Sequence, residues 1–103
     1  MNTFEVLAEP ARRQILDLIR DDERSVGELV KALAMSQPAV SKHLRVLRDE
    51  GFVEARVEAQ QRIYTLRPSR LIEVESWLAP YRRYWAGRLE ALERLLDANE
   101  EGP

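Results

Sequence analysis

Apolar residues recur at every third or fourth position along most of this chain, which is the spacing of helices that bury one face. The spacing predicts five helices, over about residues 4–8, 10–20, 26–33, 37–50 and 70–98. Pro10 and Pro38 fall in the first turn of their helices, where a missing N–H is tolerated. Pro80 lies inside the last helix, which we expect it to kink or interrupt.

Polar residues mark the ends of the two central helices. Ser25 and Glu28 form the pattern of a capping box, in which each side chain accepts a hydrogen bond from the other residue's N–H. Ser36 is the expected N-cap of the next helix, and Gly51 can take the left-handed conformation that ends it. Only the turn Ala34–Met35–Ser36 separates the two helices. Two helices joined by so short a turn, over about residues 25–50, are typical of the helix-turn-helix unit, whose second helix lies in the DNA major groove.

The spacing of apolar residues changes after the second of these helices. Val53, Ala55 and Val57 alternate with charged residues, and Arg62–Leu66 is rich in β-branched and aromatic side chains, so each stretch predicts a strand. The connection Glu58–Gln61 is short enough for a hairpin, although it holds no glycine or asparagine. The order of elements predicts a mainly α chain with one β-hairpin over about residues 52–66. This is an α+β fold, which we expect to form a single domain over residues 1–103.

Composition excludes several classes of protein. The chain has no cysteine and a single histidine, His43, so a disulfide framework and an ordinary zinc site are not expected. No apolar run approaches the roughly 20 residues that span a bilayer, and the N-terminus lacks the pattern of a secretory signal. We find no Ser/His/Asp arrangement and no glycine-rich phosphate loop. The sequence therefore predicts a cytoplasmic protein that is not an enzyme, uses no cofactor and does not enter a membrane.

The formal net charge of −2 hides a gradient along the chain. Residues 1–35 carry a net charge of −2, residues 36–70 of +3 and residues 71–103 of −3, and there is no acidic residue from Ser36 to Arg48. A positive centre between acidic flanks is typical of a small DNA-binding protein. The alternative is chance variation in a charge-rich surface.

The helix predicted over residues 37–50 has an apolar arc and a polar arc at about 100° per residue. His43 lies in the middle of the apolar arc, so we interpret it as a packed residue rather than a metal ligand. The polar arc is small, hydrogen-bonding and cationic, which suits contact with base edges and phosphates. An ordinary amphipathic helix with a basic outer face is the alternative. We predict that this helix contacts DNA through Ser36, Gln37, Pro38, Ser41, Lys42 and Arg45.

Two motifs carry a resemblance to a known family. Residues Leu7–Leu16 (LAEPARRQIL) and Ser36–Arg48 (SQPAVSKHLRVLR) resemble the ArsR/SmtB family of winged helix-turn-helix repressors, and the similarity covers essentially the whole chain. The resemblance implies a prokaryotic homodimeric repressor that binds an inverted-repeat operator in double-stranded DNA, often in its own promoter. It also implies that the major groove is faced by the positions matching Gln37, Pro38, Ser41 and Lys42.

The resemblance further implies that the hairpin is a wing, which meets the adjacent phosphates or the minor groove. We predict phosphate contacts for Arg56 and Arg62, which flank the turn, and groove contacts for Gln60 and Gln61, which lie on it. The alternative is that all four are solvated hairpin residues. The wing turn of the family usually has glycine where this chain has Ala59.

The chain departs from the metal-sensing members of the family. Those members place cysteines in the short helix, where this chain has Glu28–Leu33, and they can place histidines on the last helix, which has none here. The segment Trp77–Tyr81, followed by Tyr84 and Trp85, resembles a cysteine-free branch instead. The residues therefore predict no metal site.

The last helix carries an apolar stripe that a core of this size cannot cover alone. Aromatic residues recur at i, i+4, i+7 and i+8 from Trp77, and leucines continue the stripe. We predict that pairing of the terminal helices of two copies buries it. An effector pocket is the alternative, although no pattern identifies an effector ligand. The predicted homodimer interface consists of Phe4, Leu7, Trp77, Tyr81, Tyr84, Trp85, Leu89, Leu92 and Leu96.

These patterns leave two hypotheses of different class. The first is a sequence-specific DNA-binding repressor. The second is a winged-helix module that uses its last helix to bind another protein and has little or no specific DNA binding.

Overall fold

The structure of the chain is a computed structural model, and it describes residues 1–100. The chain divides into two compact units, one over Met1–Glu73 and a second that begins at Val74. In chain order the elements are α1 (Thr3–Ala8), α2 (Pro10–Asp21), β1 (Arg24–Ser25), α3 (Val26–Leu33), α4 (Gln37–Asp49), β2 (Val53–Glu58), β3 (Gln61–Leu66), a 3-10 turn (Pro68–Arg70) and α5 (Leu71–Glu100).

The five predicted helices and the predicted hairpin are confirmed, with ends that differ from expectation by at most two residues. The capping box at Ser25 and Glu28 is present, with both reciprocal hydrogen bonds formed. A second capping box, which the sequence analysis missed, joins Asn2 and Glu5 at the start of α1. The fold is therefore mainly helical with a small antiparallel sheet, as the sequence predicted.

The sheet has three strands rather than the two of the predicted hairpin. Its order is β1-β3-β2, and Arg24 and Ser25 of β1 pair with Tyr64 and Ile63 of β3. A two-residue strand is too short to show an alternating pattern, so only the tertiary structure reveals it. This pairing ties the hairpin directly to the start of α3.

Within the described residues, the buried apolar side chains lie in the first unit, on helices α1 to α4, on β2 and β3, and on Phe52 just before β2. The central helices contribute one face each, and the sheet closes the core. The core consists of Val6, Ile15, Leu16, Ile19, Leu29, Val40, Leu44, Leu47, Phe52, Val53 and Tyr64.

Two arginines at the start of α2 terminate α1. The Arg12 Nε donates to the carbonyl oxygen of Val6 at 2.7 Å, and the Arg13 guanidinium donates to the carbonyl of Leu7. The last carbonyls of a helix have no partner within it, so these side chains supply one. No local sequence pattern predicts this role for the two arginines.

In the second unit, α5 runs without a break through Pro80. The alternative that Pro80 interrupts the helix is therefore wrong, whereas a kink at Pro80 stays a prediction. The proline cannot donate to the carbonyl of Ser76. A helix tolerates one lost hydrogen bond when the turns on either side remain intact. Within residues 1–100, no helix combines the length and the apolar character that crossing a membrane requires.

Candidate nucleic-acid interface

The turn between α3 and α4 sets the direction of α4. Ala34 ends α3 in the left-handed conformation, with φ 53° and ψ 38°. Ser36 then caps α4, and its Oγ accepts a hydrogen bond from the Ala39 N–H at 3.3 Å. A left-handed residue reverses the chain sharply, so the two helices can follow each other after only three residues.

The far end of α4 is fixed by a Schellman motif. The Phe52 N–H donates to the Leu47 carbonyl at 2.8 Å and the Gly51 N–H donates to the Arg48 carbonyl at 3.1 Å. Gly51 has φ 82°, a backbone conformation that residues with a Cβ atom rarely adopt. Phe52 is fully buried directly after it, so the end of α4 is anchored in the core.

The two arcs of α4 face the environments that the sequence predicted. Val40, Leu44 and Leu47 are fully buried, and His43 is half-buried. The residues predicted to contact DNA share one exposed surface of the helix; they are Ser36, Gln37, Pro38, Ser41, Lys42 and Arg45.

A groove separates this exposed face of α4 from the hairpin. Four of its lining residues are cationic and none is acidic; the cations are Lys42, Arg45, Arg48 and Arg62. The groove is also lined by the start of α3 (Ser25, Val26 and Gly27) and by Tyr64, none of which was predicted. Arg48 lies on the polar arc predicted for α4, so extending that arc by one turn would have found it. The concave, positive surface suits a phosphodiester backbone.

The two wing arginines that were predicted to contact DNA lie on opposite faces of the hairpin. Arg62 pairs with Val57, and Arg56 pairs with Ile63. Directly paired residues share a face of the sheet, and neighbours along a strand lie on opposite faces. Arg62 therefore lies on the side of the groove, together with Tyr64, whereas Arg56 lies on the opposite face.

Arg56 has carboxylate partners within the chain. Its guanidinium is held by both oxygens of Glu23 at 2.7 Å, and its Nη2 is 2.9 Å from Glu58. These hydrogen bonds raise the pKa of Arg56 above its ordinary value, and the same contact lowers the pKa of Glu23. The phosphate contact that the sequence predicted for Arg56 would have to displace this ion pair.

The turn of the hairpin contains two residues with positive φ. Ala59 has φ 49° and Gln60 has φ 67°, and they form the two-residue loop between Glu58 and Gln61. Positive φ at both central positions is the property of a type I′ turn, which matches the twist of the flanking strands. The hairpin therefore closes tightly without the glycine expected there, and Gln60 and Gln61 lie at its tip beside the groove.

The opposite face of the hairpin is acidic. A second, smaller concavity there is lined by Asp22, Glu23, Glu28, Glu58, Ala59, Gln61 and Ile63. Carboxylates repel phosphates, so the acidic face of the hairpin disfavours contact with a nucleic-acid backbone. The electrostatics therefore favour nucleic acid only on the side of the cationic groove.

The described residues offer no donor set for a metal. Across residues 1–100 there is no cluster of three or more His, Cys, Asp or Glu side chains that could hold an ion. His43 Nδ1 is buried and has no hydrogen-bond partner within the described part of the chain. A lone histidine, without such a cluster in residues 1–100, does not make up the three or four protein ligands of an ordinary zinc site.

Most of the residues predicted to form a homodimer interface are exposed apolar side chains in the single chain. Leu7 differs, because it is half-buried and packs against the core of the first unit. Ring contacts organise part of the aromatic stripe, since the ring centroids of Trp77 and Tyr81 lie 5.1 Å apart. The exposed members are Phe4, Trp77, Tyr81, Tyr84, Trp85, Leu89, Leu92 and Leu96.

Comparison with known proteins finds one family and a consistent set of relatives. Residues 9–55 match the family described as bacterial regulatory protein, arsR family. The chain is 34% identical to the HTH-type transcriptional regulator Rv2034 of Mycobacterium tuberculosis over 92% of this chain and 86% of that protein. It is 48% identical to the transcriptional activator HlyU of Vibrio cholerae over 61% of this chain and 58% of the activator.

A solved structure agrees with these sequence matches. The crystal structure of an ArsR family transcriptional regulator superposes with a TM-score of 0.70 at 30% identity. The alignment covers 82% of this chain and 87% of that one. The similarity therefore extends from sequence to the arrangement of the elements.

Proposed function

Because the chain belongs to the ArsR family of bacterial regulatory proteins and is thus a DNA-binding transcriptional regulator rather than an enzyme, we propose that it is a homodimeric repressor of an inverted-repeat operator. The observation that carries this proposal is the acid-free groove between α4 and the hairpin, with Lys42, Arg45, Arg48 and Arg62 along its walls.

The exposed face of α4 reads the major groove in this proposal. Pro38 and Ser41 have small side chains near the start of the helix, so the helix axis can approach the base edges closely. Gln37 offers a donor and an acceptor that match adenine, while Lys42 and Arg45 reach guanine or phosphate. The remaining cations of the groove hold the phosphate backbone and add affinity that does not depend on sequence.

The wing contacts DNA through its groove side. Arg62 binds a phosphate, and Gln60 and Gln61 at the tip lie at or near the minor groove. Arg56 is left out of this contact because it lies on the opposite face in an ion pair with Glu23. We assign it the task of fixing the hairpin against the segment that leads into α3.

Pairing of two copies explains an inverted repeat. Each copy presents one α4, and a two-fold axis relates the two helices, so the half-sites are inverted and about 34 Å apart. The exposed apolar surface of α5 supplies the area for this pairing. A dimer bound across a promoter excludes polymerase, which makes repression the expected direction. Because the relative from Vibrio cholerae is named an activator, a promoter–reporter assay is needed to determine whether this chain represses or activates transcription.

A gel shift on the DNA upstream of the chain's own reading frame tests the proposal. The double variant Ser41→Ala, Lys42→Ala should lose the specific shift, because both residues lie on the exposed face of α4. Arg20→Ala is the matched control, since it removes one exposed cation from α2 outside the groove. Equal affinity of the double variant and the wild type for the specific fragment would reject α4 as the reading helix.

The salt dependence of binding separates the two arginines of the wing. Arg62→Ala should weaken binding to all sequences alike and reduce the slope of log K against log salt by about one, which corresponds to one lost phosphate contact. Arg56→Ala should leave this slope unchanged. A reduced slope for Arg56→Ala and an unchanged slope for Arg62→Ala would reverse the proposed orientation of the wing.

A further inference from the structure

Tyr64 is a core residue whose hydroxyl group has no partner and is reached from the cationic groove. Only 6% of Tyr64 is exposed, and the residue lines the groove between α4 and the hairpin. Its hydroxyl forms no hydrogen bond within residues 1–100, and it is not sealed from solvent as the unpartnered atoms His43 Nδ1 and Arg70 Nε are. A buried tyrosine usually finds a hydrogen-bond partner for its hydroxyl. This hydroxyl is therefore open to an acceptor that enters the groove.

The pairing of β1 with β3 brings the first turn of α3 close to Tyr64. Arg24 pairs with Tyr64 across the two strands, and α3 begins two residues after Arg24, at Val26. Gly27, in the first turn of α3, is exposed and lines the same groove. The first N–H groups of a helix have no acceptor within it, and they carry the positive end of the helix dipole. The first turn of α3 therefore offers hydrogen-bond donors to an anion in the groove.

The acid that caps this turn lies toward the other face of the hairpin. The Glu28 carboxylate accepts the N–H of Ser25 at 3.1 Å, and the Ser25 Oγ accepts the N–H of Glu28 at 3.2 Å. Glu28 lines the acidic concavity on the opposite face, whereas none of the described residues that line the groove is acidic. The capping box therefore adds no negative charge to the groove side of the turn.

We propose that the Tyr64 hydroxyl and the N–H of Gly27 together bind one phosphate of the DNA backbone in each half-site. Helix N-termini and tyrosine hydroxyls both donate hydrogen bonds to DNA phosphates. Arg62 lies two positions from Tyr64 on the same face of β3, about 7 Å along the strand, so the two side chains serve phosphates close together on one DNA strand. Because Tyr64 is held in the core, its contact fixes the position of the protein on the backbone. This inference rests on the proposed function and adds to it a phosphate contact that no charged side chain makes.

The variant Tyr64→Phe removes the hydroxyl and keeps the ring. It should weaken binding by about 10-fold for each half-site, on specific and random DNA alike, because a hydrogen bond to an anion is lost. The slope of log K against log salt should stay unchanged, since no cation is removed. The melting temperature should also stay unchanged, because the hydroxyl has no partner to lose within residues 1–100. Thr65→Val is the matched control, since it removes a hydroxyl from the next position of β3, on the opposite face.

The variant Gly27→Ala tests the α3 side of the same site. Apart from the chain neighbours of Gly27, the nearest atom to an added Cβ is the Ser25 Oγ at 3.9 Å, so the fold accommodates the methyl group. Alanine also favours a helix, so the melting temperature should stay the same or rise. The methyl group would nevertheless stand where the phosphate approaches, and DNA affinity should fall by about 10-fold for each half-site. Gly87→Ala is the control, because residue 87 is exposed on α5 and should leave DNA affinity unchanged.

Neutral methylphosphonate groups placed singly along the operator locate the contact. At one position in each half-site, the replacement should weaken the wild type by about 10-fold and Tyr64→Phe much less, because that variant has already lost the hydrogen bond. Equal weakening of both proteins at every position would overturn this inference, and so would wild-type affinity in either Tyr64→Phe or Gly27→Ala. The proposed function would survive these results if the double variant Ser41→Ala, Lys42→Ala still loses the specific shift. A wild-type chain that gives no specific shift would reject the proposed function, and this inference with it.

Discussion

The two units of the chain use the same kind of apolar pattern with opposite results. In the first unit, helices of six to thirteen residues bury their apolar faces against one another and against the sheet. In the second unit, the stripe of α5 from Trp77 to Leu96 stays exposed along its length. An amphipathic pattern therefore predicts that an apolar face is buried. It does not tell whether the same chain or a second chain buries it. Where the single chain supplies no cover, the pattern indicates a surface for assembly.

The largest difference between the two units is expected when one aromatic residue in each is truncated. Phe52→Ala should lower the free energy of unfolding by about 3–5 kcal/mol, because it empties a fully buried site. Trp85→Ala should lower it by less than about 1 kcal/mol at concentrations where the chain is monomeric, because Trp85 is half exposed there. Urea unfolding followed by circular dichroism measures both.

The stability of the dimer gives the complementary measurement for Trp85. Trp85→Ala should raise the dissociation constant of the dimer in sedimentation experiments, since it removes an exposed aromatic side chain from the predicted homodimer interface. If Trp85→Ala destabilises the monomer as strongly as Phe52→Ala, then Trp85 is buried within one chain and the contrast between the units fails.

A second pair of variants applies one substitution to both units. Gly51→Ala should destabilise the chain by about 1–2 kcal/mol, because Gly51 has φ 82° in the Schellman motif that ends α4. Gly87→Ala should stabilise α5 by up to about 1 kcal/mol, since a Cβ there meets nothing within 4 Å and alanine favours the helix. Thermal unfolding reads both signs. A gain from Gly51→Ala would mean that the end of α4 relaxes freely.

The hairpin turn is an exposed part of the first unit that stores strain. The double variant Ala59→Asn, Gln60→Gly should raise the free energy of unfolding by about 1 kcal/mol, because Asn-Gly adopts the type I′ turn more readily than Ala-Gln. DNA affinity should fall at the same time if Gln60 contacts the groove. A variant of unchanged stability would show that the tip relaxes at no cost.

The smallest effect concerns pH and the start of α3. Glu28 forms a capping box with Ser25. Hydrogen bonds with the Ser25 backbone N–H, and next with the Ser25 side chain, lower the pKa of the Glu28 carboxyl group. A folded-state pKa below the unfolded value stabilises the fold above the unfolded pKa, and this stabilisation is lost as pH falls through the folded pKa. Glu28→Gln keeps an acceptor but cannot titrate, so its stability should fall less steeply below about pH 4.5. Unfolding curves between pH 7 and pH 3 that run parallel to the wild type would contradict this assignment.

Much of the fold and most of the residues that line the groove could be predicted from local pattern. Helix periodicity, the capping serines and the position of Gly51 located all five helices, and the exposed face of α4 followed from its wheel. The wing was harder. Alternation predicted the first strand, and β-branched and aromatic residues predicted the second. Arg56 and Arg62 were nevertheless treated alike, because their different parity matters only once the core side of the sheet is known.

Local chemistry along the chain determined which residues form helices and strands, because capping, periodicity and proline placement act between residues close in sequence. It also determined that the exposed face of α4 is cationic, with no acid from Ser36 to Arg48. Only the tertiary structure decided that β1 completes the sheet, that Arg56 pairs with Glu23 and that Arg62 joins the cationic groove. These outcomes depend on contacts between residues more than ten positions apart, whose partners a local pattern cannot identify.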